Sequence, residues 1–202
     1  MNWRCCEESI KYGAYEGLYA EEMRILEFLS GGYENKEILL LGSGREPDND
    51  IWSMNTVLTK MRAKVSAVDV HYEGPAELSG VKYYRGSANK LDELFPANGF
   101  DIVISTAMFG VPFTNWAIRE YSLDLSNENF SEQIKAKELD ALKQALRVTK
   151  PGGWQFHYNK DLNPQSWMFT RKDLIAIGCE LAFQPEFLPH SRETWYLKKR
   201  EA

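Results

Sequence analysis

The feature that most constrains this chain is an alternation of short apolar runs with helical stretches. The runs are Glu37–Leu41, Val65–Val70, Val81–Tyr84, Phe100–Ser105, Trp154–Tyr158, Glu180–Phe183 and Thr194–Leu197. Each is short, rich in β-branched or aromatic residues and bounded by turn residues, so each reads as a strand. Between them, helices are expected over about Ile51 to Met61, near Leu91 to Leu94, and from about Ser131 to Arg147. In the last, Ile134, Leu139, Leu142, Ala145 and Leu146 approximate one apolar stripe, and Lys150-Pro151-Gly152-Gly153 stops it. A further helix is expected to begin at Thr170-Arg171-Lys172-Asp173, which has capping-box spacing, and to end before Gly178.

Strands alternating with helices imply parallel pairing through right-handed crossovers. The last two runs have no helix-length segment between them, which makes them an antiparallel terminal hairpin. The expected fold is therefore α/β: a doubly wound three-layer sandwich around a mostly parallel seven-stranded sheet. With 202 residues and no linker-like tract, one domain is expected, a core over 37–202 preceded by an N-terminal helical extension over 1–36. That extension holds Tyr12, Tyr15, Tyr19 and an amphipathic Glu21 to Leu29.

Composition excludes several classes. Hydrophobic residues at 44% and charged residues at 26% give a chain too apolar for disorder. No run approaches the ~20 apolar residues of a membrane helix, and the first residues lack an apolar signal core, so a cytoplasmic protein is expected. A net charge of −5 disfavours nucleic acid as a partner. Cys5, Cys6 and Cys179 form no metal or disulfide spacing, and His71, His157 and His190 are scattered singly, so no metal is expected.

In an open α/β sheet, ligands bind beyond the carboxyl ends of the strands, at the switch point beside the first strand. There the chain reads Gly42-Ser43-Gly44, directly after an apolar strand and before a helix. Glycines let the backbone turn and let a ligand approach its amides. Pro47 stands where a dinucleotide fingerprint needs a third glycine, and no phosphate loop is present, so pyrophosphate is disfavoured. The second strand ends in Asp69, whose carboxylate can accept from the two hydroxyls of a ribose or cap the following turn. A nucleoside without a phosphate anchor is the better ligand.

At these positions the chain resembles the class I S-adenosylmethionine-dependent methyltransferases, from about Glu37 to Leu197. The matching pieces are ILLLGSG, AVDV, RGSA, FDIVIS and LKQALRVTKPGGWQF, the last being the most specific. The resemblance implies S-adenosylmethionine as cofactor, with Gly42, Ser43 and Gly44 at its methionine and ribose portion and Asp69 on the ribose hydroxyls. It places Val70 against adenine, Ser87 and Ala88 at the adenine edge, and Ser105 near the methionine end. It also implies that the N-terminal helix covers the cofactor. The implied reaction is methyl transfer to an oxygen or nitrogen of a small-molecule acceptor. Alignment provides much of the acceleration of such a displacement, and His157, near the end of its strand, is the best-placed base. Phe109, Pro112, Phe113 and Trp116 are either an acceptor pocket or the inner face of a helix. Leu40 and Glu46, where the family usually has an acidic residue and a glycine, keep open an alternative: a catalytically inactive methyltransferase fold serving as a binding or regulatory protein.

Overall fold

The computed structural model describes residues 20–43, 54–106, 111–158, 170–183 and 194–201. Its strands are β1 (Glu37–Leu41), β2 (Lys64–Asp69), β3 (Glu77–Leu78), β4 (Val81–Arg85), β5 (Phe100–Thr106), β6 (Thr149–Tyr158), β7 (Cys179–Phe183) and β8 (Thr194–Lys199). The helices are α1 (Ala20–Ser30), α2 (Met54–Lys60), a 3-10 turn over Ala88–Glu93, α3 (Val111–Glu120), α4 (Phe130–Val148) and α5 (Arg171–Ala176). All eight strands form one sheet in the order β3-β4-β2-β1-β5-β6-β8-β7. β1 runs parallel to β2 and β5, as do β2 to β4 and β5 to β6. β8 is antiparallel to both β6 and β7, the expected terminal hairpin.

The sheet has one strand more than the seven expected. β3 is two residues long and joins β4 through Ser79 and Gly80, both with positive φ (52° and 79°), the mark of a tight primed hairpin turn. Its signal was the Ser-Gly pair between Leu78 and Val81. β6 also starts earlier than Trp154. Thr149 opposes Phe100, and the next registered pair is Trp154 with Ile102, so Lys150 to Gly153 bulge out of the ladder. A β-carbon on Gly153 would lie 2.8 Å from the Asp101 carbonyl and 2.9 Å from that of Lys150. Gly153→Ala is therefore expected to cost about 1–3 kcal/mol, read as a lower thermal midpoint with unchanged ligand preference. An unshifted midpoint would show that the bulge yields freely.

Period-two alternation divides the core. Ile38, Leu40, Ile102, Ile104 and Phe156 face a layer that includes Met23 and Leu26 of α1 and Val57 and Leu58 of α2. Leu39, Leu41, Val68 and Val103 face the opposite layer, where Ala145 and Val148 of α4 meet them. Phe113 and Ala117 of α3, Leu142 of α4 and Leu174 of α5 extend that second layer over the hairpin. β1 is thus buried on both faces, which explains its unbroken apolar run. α1 lies against the sheet face, with the Tyr33 hydroxyl donating to the Met23 carbonyl at 2.7 Å. Residues 1–19 of the extension expected to cover the cofactor lie outside the described residues.

The helix boundaries follow local chemistry. Thr170 and Asp173 form the reciprocal capping box expected from their spacing, and Gly178 follows α5 with φ +98°. No described helix is long and apolar enough to cross a membrane.

Candidate functional site

The chain winds from β1 to β2 and β4 on one side, and continues through β5 and β6 on the other. Their carboxyl ends therefore part beside β1, and the candidate residues gather there. Gly42 takes φ +74°, a conformation glycine adopts without steric cost. The amides of Gly42 and Ser43 both donate to the Val68 carbonyl, at 3.0 and 3.4 Å, folding the loop over the end of β2. Ser43 Oγ is buried there without a hydrogen-bond partner among the described residues, which leaves a hydroxyl with its pairing capacity unspent. Gly44 lies outside the described residues, as do Glu46 and Phe109.

At the end of β2, Asp69 caps its own turn: a carboxylate oxygen accepts from the His71 amide at 2.8 Å. The Asp69 carbonyl accepts from the Gly86 amide at 3.1 Å, tying this end to the turn after β4. Ser87 opens the 3-10 turn as its cap, accepting from the Asn89 amide at 3.2 Å. Ala88 is partly buried and packs between the two clusters beneath α4.

Beside these elements lies a cavity of about 280 Å³. It is lined by Val70, which follows β2, by Gly86 and Ser87 after β4, by the charged Arg85, Lys90 and Glu93, and by Trp116, Glu120 and Tyr121 at the end of α3. The sequence left Phe113 and Trp116 open between pocket and packing, and the structure divides them. Phe113 is in the core, whereas Trp116 is half-buried and lines the cavity. Glu120 and Tyr121 were not singled out. Their signal was helical spacing: each lies one turn from Trp116 or Ala117.

Ser105 and His157 sit on the neighbouring strands β5 and β6, directly paired in register, and both are fully buried. Ser105 Oγ is 2.8 Å from His157 Nδ1, and His157 Nε2 is 2.9 Å from Gln155 Oε1. Gln155 Nε2 donates to Thr149 Oγ1 at 3.1 Å, and Thr149 Oγ1 donates to the Ala145 carbonyl at 2.7 Å. A carbonyl only accepts, so the direction of every bond follows. Thr149 gives its proton to Ala145, Gln155 turns its amide nitrogen to Thr149 and its oxygen to His157, and the ring carries its proton on Nε2. Ser105 then donates to Nδ1. Burial pushes the His157 pKa down to about 3, so the ring is neutral at physiological pH. The base expected at His157 is thus a ring with both nitrogens occupied and no exposed surface, because its strand position turns it toward α4.

Two further acidic groups lie on β5 and α4. Asp101, half-buried, accepts from the Glu37 amide and from Lys150 Nζ, both at 2.9 Å, at the opposite end of the sheet. Glu138 is fully buried on α4, one turn from Ile134 and from Leu142, a position on the apolar stripe that the sequence reading passed over.

The fold is that of the class I S-adenosylmethionine-dependent methyltransferases. Among solved structures, the chain is similar to CalS10, an amino pentose methyltransferase from Micromonospora echinaspora solved with S-adenosylmethionine bound: TM-score 0.56, 15% identity, 96% of each chain covered. It is also similar to an S-adenosylmethionine-dependent methyltransferase from Mesorhizobium loti, with TM-score 0.55 and 13% identity over 88% of this chain and 96% of that one. A methyltransferase from Aquifex aeolicus gives TM-score 0.51 and 15% identity, covering 94% and 96%. No family model matches the sequence, and no curated protein matches it.

Proposed function

We propose that the protein is an S-adenosylmethionine-dependent methyltransferase acting on an oxygen or nitrogen of a small-molecule acceptor in the cytoplasm. The observation that carries this reading is the convergence, on a methyltransferase fold, of the Gly42–Ser43 turn, the Asp69 carboxylate and the cavity between Val70 and Trp116. The orphaned Ser43 hydroxyl fits a ligand that supplies its missing partner. A net charge of −5 favours a small acceptor over nucleic acid.

In this reading Gly42, Ser43 and Gly44 hold the methionine and ribose portion, and Asp69 accepts from the ribose hydroxyls. Val70, Ser87 and Ala88 border the base, and Ser105 lies near the methionine end. When bound, the cofactor supplies a methyl group made electrophilic by its sulfonium. The chain's own residues align that ligand and exclude water, which suffices for much of the rate of an in-line displacement. His157 serves as a positioning residue: it fixes the Ser105 hydroxyl proton inward and turns the serine lone pairs elsewhere.

Thermal unfolding with S-adenosylmethionine, and with its demethylated product S-adenosylhomocysteine, tests the reading. Ligand at ~100 times its dissociation constant stabilises the native state by ~2.7 kcal/mol, a midpoint shift of several degrees for a chain of this size. Folded protein, stripped of co-purified ligand, that shifts with neither compound would sink the enzyme reading and favour the inactive-fold alternative.

A further inference from the structure

We infer that Thr149 is a positioning residue for the candidate site: through Gln155 and His157 it sets which way the Ser105 hydroxyl points. The inference rests on the methyltransferase reading for the ligand that Ser105 meets, while the hydrogen-bond chain stands on the structure alone. Among the described residues, five polar or charged side chains have no exposed surface. Four of them, Ser105, Thr149, Gln155 and His157, are joined in this one chain. Apolar residues of similar size would fill the same space with nothing to pair, so four polar groups in one buried line point to a purpose beyond packing.

The path of the backbone brings these residues together. Gln155 and His157 are two positions apart on β6 and share one face of it. Residues six apart on a regular strand are separated by about 20 Å. The bulge over Lys150 to Gly153 instead returns Thr149 to the same face, with Oγ1 3.1 Å from Gln155 Nε2.

Thr149 anchors the order of the chain because its bond has a single reading. Two oxygens 2.7 Å apart need a proton between them, and the Ala145 carbonyl has none to give. The threonine hydroxyl is thereby a fixed donor to α4 and a fixed acceptor toward Gln155. Without that anchor, Gln155 is free to turn its amide over and offer its nitrogen to His157 Nε2. The ring proton then sits on Nδ1, and Ser105 accepts from it and sends its own proton away from the ring. One methyl-for-hydroxyl exchange at Thr149 thus converts the serine from a lone-pair surface into a donor. A ligand bearing an ammonium group favours the lone pairs.

The test uses the full chain. Thr149→Val is nearly isosteric and leaves the Ala145 carbonyl served by the backbone amide of residue 149, so the fold is expected to hold. Long-range proton–nitrogen NMR of the three histidines shows which ring nitrogen carries the proton. The expected His157 proton is on Nε2 alone in wild type and in Thr149→Ser, which keeps the hydroxyl, and is shared between both nitrogens in Thr149→Val. Ser105→Ala keeps it on Nε2, because the order is set from the Thr149 end. Saturating S-adenosylhomocysteine is expected to draw the ring of Thr149→Val back to Nε2, and the analogue with hydrogen in place of the α-ammonium to leave the mixture unchanged. By titration calorimetry, Ser105→Ala lowers the preference for the ammonium-bearing compound by about tenfold, the scale of one charge-assisted hydrogen bond. A Thr149 with a packing role alone would lower the thermal midpoint and move none of these readouts. A proton on Nδ1 in wild type or in Ser105→Ala, an unchanged tautomer in Thr149→Val, or an unchanged ammonium preference in Ser105→Ala overturns the inference and leaves the methyltransferase reading standing. Wild-type protein that binds neither compound overturns that reading, and with it the role of Thr149 at the site.

Discussion

Asp69→Ala is expected to abolish the stabilisation that S-adenosylmethionine gives the folded protein. A ribose offers two vicinal hydroxyls, and one carboxylate can accept from both. Such charge-assisted bonds contribute roughly 1.5–3 kcal/mol each when shielded, so even with a discount for solvent their loss weakens binding by roughly a hundredfold or more. The residue also accepts from the His71 amide at 2.8 Å, so alanine removes a turn bond as well. Asp69→Asn separates the two effects, because its carbonyl oxygen keeps the turn while the charge and one acceptor are lost. Both variants are expected to lose the ligand-induced shift, and only alanine to lower the ligand-free midpoint, by the ~1 kcal/mol of one hydrogen bond. A full ligand response in Asp69→Asn would remove Asp69 from the binding site.

The second large effect is expected from acid. In the unfolded chain His157 takes up a proton as pH falls through its ordinary value near 6.5. In the folded protein burial holds the ring neutral down to about 3. Between those values the unfolded state binds more protons, so stability is complete above about pH 6.5. It is lost as pH falls, at about 1.4 kcal/mol per pH unit from this group. His157→Gln removes that slope. It also leaves Ser105 and Gln155 imperfectly paired in full burial, at a cost of about 2–4 kcal/mol at neutral pH. Chemical denaturation across pH 4–8 reads both effects. Parallel acid limbs in wild type and variant would show that the ring is solvated. The same neutral ring predicts that no activity transition between pH 5 and 8 belongs to His157.

These expectations show where sequence reasoning reached and where it stopped. The Gly42 turn, the carboxylate ending β2, the Pro151–Gly153 break and the Thr170 capping box are local devices, each decided by residues within a few positions, and all were legible. β3 was passed over because two residues carry no periodicity, although the Ser79–Gly80 turn that makes them marked the place. The surroundings of His157 were not legible for a different reason. Its strand and its position along it were correctly anticipated. Which face of β6 it occupied depended on Ser105, fifty-two positions away, and on α4 lying across both. Glu120 and Tyr121 escaped similarly: a helix turn shows which residues share a face with Trp116, and only the packed fold shows that this face meets Val70 and Ser87.

β8 follows both β6 and β7 in the chain, yet it lies between them. During synthesis the parallel half of the sheet can therefore pair while β6 still presents a free edge. β7, whose described partner is β8, has no neighbour to hold it. An edge of that kind, carrying Phe156, invites pairing with other chains. Final assembly is an insertion: β8 enters the gap between two strands made before it, donating along both sides. Chaperones that shield strand edges thus matter most to its yield in the interval between the synthesis of β6 and the insertion of β8.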